Sequence, residues 1–178
     1  MKNGLTLAAC CLCLSSCTTT PMAPAMAAGP SATAVMRPAS GSQAHGSVKL
    51  TQMGDRVKVE GEIAGLEPGR HGFHIHDKGD CSAPDAASAG AHFNPGGKKH
   101  GVMVGDGPHA GDMPNLHIPA DGSLVVEVLN AAVTLEKDKP NSLFKPEGTA
   151  LVIHAGKDDY KTDPTGDAGG RIACGVVE

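Results

Sequence analysis

The chain is predicted to be an all-β protein, an eight-stranded antiparallel Greek-key sandwich or barrel carrying two long functional loops. Three observations predict this class. The 178 residues include 24 glycines and 13 prolines, a composition that calls for many turns and ordered loops. They include only three Phe, one Tyr and no Trp, so the core must come from Val, Ile, Leu and Ala, which suits short strands. Apolar residues alternate over short stretches, and no stretch sustains a 3.6-residue period.

The strands follow in order. Val48 and Leu50 stand two apart, and Val57, Val59 and Ile63 repeat the pattern after a Gly54-Asp55 turn. His71 to His76 follows a Pro68-Gly69 turn. Leu116 to Ile118 and Leu124 to Leu129 flank Asp121-Gly122, which predicts a hairpin. Ala150 to His154 and Arg171 to Val177 complete the set. Residues 77–115 and 155–170 are long, polar and rich in Gly and Pro. Ordered loops of that length in one domain are usually functional.

The N-terminus has a different character. Residues 1–17 carry one cation, Lys2, and an apolar run from Gly4 to Leu14, far short of the roughly 20 residues that span a bilayer. That pattern is a secretory signal. Leu14-Ser15-Ser16-Cys17 resembles a bacterial lipobox with Cys17 as the lipidated residue. Thr18 in place of Asp points, by that resemblance, to the outer membrane. Ala25-Met26-Ala27 offers a rival cleavage that would release a soluble protein. Residues 18–42 are almost uncharged and are expected to form a flexible spacer, leaving 43–178 as the domain. The expected location is the periplasm or cell envelope, with a lipid tether to the membrane. A formal charge of −4 without a basic run argues against a nucleic-acid partner.

The cysteines sort by position: four lie in the first 17 residues, and only Cys81 and Cys174 lie in the body. In an exported chain that pair is most simply one disulfide, the alternative being two unpaired buried thiols.

The histidines carry the chemistry. In HGFHIH, residues 71–76, strand alternation puts His74 and His76 on one face and Phe73 and Ile75 on the other. Two imidazoles at that spacing are a common half-site for a metal. His92, His100, His109 and Asp112 fall within 21 residues among glycines, a set able to wrap one ion tetrahedrally. His154 ends an apolar strand where a long loop begins.

These stretches, with GDCS (79–82), AHFNP (91–95), VIHAGKDD (152–159) and GGRIACGVV (169–177), resemble the bacterial exported copper/zinc superoxide dismutases over about residues 45–178. The resemblance implies dismutation of superoxide to oxygen and hydrogen peroxide. It implies copper on His74, His76, His92 and His154, and zinc on His92, His100, His109 and Asp112, with His92 bridging the two. Asp158 would link His74 to His100, with Asp159 as the neighbouring rival. Arg171 would attract and orient the anion, Lys157 and Lys161 being weaker candidates for guiding it. His71 would sit beneath the copper group, and Cys81 and Cys174 would join the long loop to the last strand. His45 and His117 are given no role. The partners implied are the superoxide anion and a membrane, with a homodimer as one arrangement open to the chain. The competing reading is a copper/zinc-binding or storage module on the same fold without catalysis.

Overall fold

Period-two alternation turns directly into paired strands. The computed structural model describes Met1 and residues 29–178, so the expected signal segment, the expected lipidation site Cys17 and the expected spacer up to residue 28 lie outside the described residues. The strands are β1 (Ser31–Pro38), β2 (His45–Met53), β3 (Arg56–Ala64), β4 (Gly69–His71), β5 (Phe73–His76), β6 (Leu116–Ile118), β7 (Leu124–Asn130), β8 (Ala150–His154) and β9 (Arg171–Val176). Seven form one antiparallel sheet in the order β5-β8-β9-β1-β2-β3-β7, and β4 pairs with β6. The all-β expectation holds. The described count is nine strands rather than eight.

The inward residues are those the alternation selects. Val48 and Leu50 from β2, Val57, Val59 and Ile63 from β3, Val126 from β7, Phe73 and Ile75 from β5, and Leu151 and Ile153 from β8 fill one core. Truncating a buried aromatic such as Phe73 would cost about 3–5 kcal/mol. β5 and β8 are buried at every position, because their second faces lie beneath the long loops that carry the site.

Two expectations are corrected. The spacer expected over 18–42 contains β1, which pairs with β2 on one edge and β9 on the other. Ala32, Ala34 and Met36 point inward while Ser31, Thr33, Val35 and Arg37 point out. Alanine carries so little hydrophobicity that composition hides this alternation, yet two-sided backbone pairing makes a strand of it. The folded domain therefore includes β1, which the expected bounds of 43–178 left out.

The hairpin expected at Asp121-Gly122 is a turn without a ladder. β6 pairs with β4 and β7 with β3, so the chain crosses here from the small sheet to the large one. Pro119, directly after β6, has no N–H with which to extend a ladder.

A third long connection, residues 131–149, was not singled out. It packs Val133, Leu135 and Leu143 into the core. Its anchor is the buried Gln52, whose Oε1 accepts from Thr134 Oγ1 at 3.0 Å and the Leu135 amide at 2.8 Å.

Candidate metal centre

Two strands and two loops build the site. His74 and His76 project from the face of β5 opposite Phe73 and Ile75, and β8 lies alongside with His154 at its end. The loop 77–115 lays its backbone on the free edge of β5. Ile75 donates to Gly111 O at 2.9 Å, Phe93 to Ile75 O at 2.8 Å, and Gly111 to Phe93 O at 2.8 Å. This pairing sets His92 opposite His76 and Asp112 opposite His74. A Cβ at position 111 would collide with the Ile75 carbonyl, so the close approach needs glycine.

The predicted ligands converge. Ligand atoms of His74, His76, His92 and His154 lie within 4.8 Å of one another, and so do those of His92, His100, His109 and Asp112. His92 is common to both groups. On the second side, Asp112 Oδ1 lies 2.9 Å from His92 Nδ1, 3.1 Å from His100 Nδ1 and 3.4 Å from His109 Nδ1. His92 Nδ1 and His109 Nδ1 are 3.5 Å apart. Donors placed about 2.0–2.1 Å from a tetrahedral ion are separated by roughly 3.3 Å, so the set fits zinc.

The first side fits a metal by its unused lone pairs. His76 Nδ1 donates to Gly90 O at 3.0 Å and His154 Nδ1 to Gly169 O at 3.2 Å, which turns the two Nε2 atoms toward each other at 3.4 Å. His74 Nε2 donates to Asp158 Oδ2 at 2.8 Å. His74 Nδ1 and His92 Nε2 are buried without any partner. A buried polar nitrogen left unpaired is costly, and a metal ion satisfies both.

Asp158 ties the groups together, since its other oxygen accepts from His100 Nε2 at 2.9 Å. Burial pushes His76 down to about 2, His154 to about 3 and His74 to about 4, keeping their imidazoles neutral. Burial also opposes the charge on His100, but hydrogen bonds to Asp112 and Asp158 outweigh it and push that residue up to about 9. Both carboxyls feel the same burial. The imidazoles they face still hold Asp112 and Asp158 well below the usual range.

Arg171 starts β9 beside the first group. Its guanidinium donates to Ala86 O at 2.7 Å and Gly90 O at 2.6 Å, so Gly90 O holds both the arginine and His76. Burial lowers its pKa, but a guanidinium stays charged at any physiological pH. It lines a cavity of about 570 Å³ together with His76, His92 and His154. Cys81 and Cys174 form a disulfide with Cα atoms 5.7 Å apart, joining this loop to β9. His71 is buried with its two ring nitrogens on His154 O at 2.8 Å and Glu67 O at 2.9 Å, bracing the strand end that carries His154. Asp159 does not share the role of Asp158, as its carboxylate caps Lys161 and Thr162 instead.

Several residues of the site went unnoticed in the sequence. Asn115 clamps the backbone of Asp158 from both sides, at 2.9 Å to its carbonyl and 2.8 Å from its amide. Tyr160 Oη accepts from the Asn115 amide at 2.8 Å. Lys98 and Asp163 line the cavity, whereas Lys157 and Lys161 do not. No motif marks these positions, and only the folding back of loop 155–170 on loop 77–115 brings them to the site.

An antiparallel β scaffold with two four-donor groups sharing one imidazole defines a binuclear metalloprotein, one site of imidazoles alone and one completed by a carboxylate. The family description "Copper/zinc superoxide dismutase (SODC)" matches residues 44–177. "Superoxide dismutase [Cu-Zn] 1" of Aquifex aeolicus is 55% identical over 75% of this chain and 79% of its own length. The corresponding protein of Caulobacter vibrioides is 41% identical over 83% and 86%. The crystal structure of a SOD-like protein from Bacillus subtilis superposes with TM-score 0.75 at 37% identity, covering 81% of this chain and 96% of that one. The clock protein EA4 superposes with TM-score 0.72 at 35% identity, covering 88% and 98%. The chain belongs to the copper/zinc superoxide dismutase family, enzymes that act on superoxide with copper and zinc.

Proposed function

We propose that this chain dismutates superoxide into oxygen and hydrogen peroxide, with copper on His74, His76, His92 and His154 and zinc on His92, His100, His109 and Asp112. Donor chemistry carries the division. Four imidazoles suit copper, three imidazoles with Asp112 suit zinc, and the His92 ring offers one nitrogen to each. When bound, copper supplies the one-electron oxidation of one superoxide and reduction of the next, while zinc supplies a fixed charge beside His92.

The chain's own residues do the rest. Arg171, pinned through both terminal nitrogens to two carbonyls, offers its charge to the incoming anion in the cavity. His92 directs Nδ1 at Asp112 and leaves Nε2 open toward the copper group, so it is placed to hold a proton at Nε2 for the peroxide product. Burial keeps His74, His76 and His154 neutral with lone pairs available. The test is superoxide consumption by the purified protein loaded with both metals. Full occupancy without turnover would leave only a metal store.

The reading extends to place. A disulfide between Cys81 and Cys174 suits an oxidising compartment, and the lipobox-like segment ending at Cys17 supplies a tether. More than one acyl chain is needed for a stable anchor. The mass of the mature N-terminus decides between a lipidated Cys17 and a soluble start after Ala27.

A further inference from the structure

We propose that Asp163 is a positioning residue for the zinc group, acting behind His109. The proposal rests on the assignment of zinc to His92, His100, His109 and Asp112. Each of the three imidazoles in that group has a second nitrogen besides the one it would offer to the ion. That of His92 turns to the copper group, and that of His100 donates to Asp158 at 2.9 Å. The second nitrogen of His109, Nε2, faces Asp163 Oδ1 at 3.8 Å.

The same oxygen accepts the backbone amide of His100 at 2.7 Å. One carboxylate oxygen therefore addresses two of the four zinc residues, one by its backbone and one by its ring. A separation of 3.8 Å is longer than a hydrogen bond but within the range of a direct charge interaction. A carboxylate behind a metal-bound imidazole fixes the ring's orientation and tautomer and raises its basicity. Loop 155–170 thus reaches the proposed zinc residues through two carboxylates, Asp158 on the His100 ring and Asp163 on the His100 backbone, with the His109 ring facing the latter. Asp163 also stands in the wall of the substrate cavity, its side chain half exposed.

A purely mechanical clip would need only an acceptor for the His100 amide. Asp163→Asn keeps such an oxygen and removes the charge, whereas Asp163→Ala removes both. Zinc affinity is measured by chelator competition on the intact, disulfide-bonded protein, and the environment of the ion by the visible spectrum of cobalt(II) in the zinc group. In Asp163→Ala the affinity is expected to fall about 10–100-fold, the range for loss of such a partner. In Asp163→Asn it falls several-fold, with the cobalt bands displaced in both variants and copper retention unchanged. Zinc affinity in Asp163→Ala within about twofold of the parent would overturn the proposal. So would full recovery in Asp163→Asn with unshifted cobalt bands, which would leave Asp163 a loop clip. A parent protein that took up no cobalt in this group would instead overturn the zinc assignment itself.

Discussion

The two halves of the centre are built from different material. The half proposed for copper is mostly strand: His74 and His76 lie within β5, His154 ends β8, and only His92 comes from a loop. Its outward nitrogens go to backbone carbonyls and Asp158. The half proposed for zinc is loop throughout, and beyond a short backbone pairing with β5 it is held by the carboxylates of Asp112 and Asp158. Paired strands hold their geometry with or without an ion, whereas a loop with few ladder bonds sits at the low-stability end of a fold. The electrostatics divide in the same way. Burial keeps the imidazoles of the strand half neutral, while the carboxylates of the loop half draw positive charge onto His100. On the proposed division the electron-exchanging site is set on the stiff part of the molecule, and the loop half is fastened to it through His92 and Asp158.

If the halves are separable in this way, a change at the strand end must empty one and spare the other. His154→Ala removes a copper donor at the end of β8 and touches none of the zinc donors. Superoxide turnover is expected to fall to background while metal analysis still finds one zinc per chain; surviving activity would mean that the copper assignment is wrong. Asp158→Asn probes the fastening. It weakens hydrogen bonds to both His74 and His100, and loss of such a partner costs roughly 10–100-fold in metal affinity. Zinc, on the loop half, is expected to bear most of that loss in chelator competition, and equal loss of both metals would break the comparison.

The strand half was also the legible half. HGFHIH shows its two faces by alternation alone, whereas His154, at the end of an apolar run, gains its place only beside the other groups and through the family resemblance. The loop ligands are legible as a cluster of residue types, but their division between two ions came only with the family resemblance. What the sequence hid is what depends on tertiary return. β1 was mistaken for spacer because Ala32 and Ala34 are weakly apolar, and its pairing partners lie in β2 and β9. The 121–122 turn looked like a hairpin because local chemistry is blind to which edge is free. Asn115, Tyr160, Asp163 and Lys98 became visible only when loop 155–170 closed over loop 77–115.

Charge at the cavity sharpens the comparison further, because it should alter capture of the anion without disturbing either metal. Arg171→Lys keeps a cation but cannot reach both Ala86 O and Gly90 O with a planar fork. Because the charge is kept and only the fork is lost, kcat/KM is expected to fall by less than about 10-fold, the lower end of what steering and focusing supply, with copper and zinc content unchanged. A loss of copper instead would make Arg171 a support for His76 through Gly90.

Lys98 gives the smallest effect and the most selective one. It lines the cavity with Arg171, whereas Lys157 and Lys161, the lysines suggested by their place in the loop after His154, are exposed and lie outside it. A unit charge acting across about 10 Å of water is worth roughly 0.4 kcal/mol, or about twofold in rate. Lys98→Ala is therefore expected to lower kcat/KM by about twofold at low salt. The difference should fade near physiological ionic strength, where the screening length is about 8 Å. Lys157→Ala and Lys161→Ala should leave both the rate and its salt dependence at parent values. Equal decreases in all three variants would mean that the surface lysines together, rather than the cavity wall, guide the anion, and the advantage assigned to Lys98 by position would disappear.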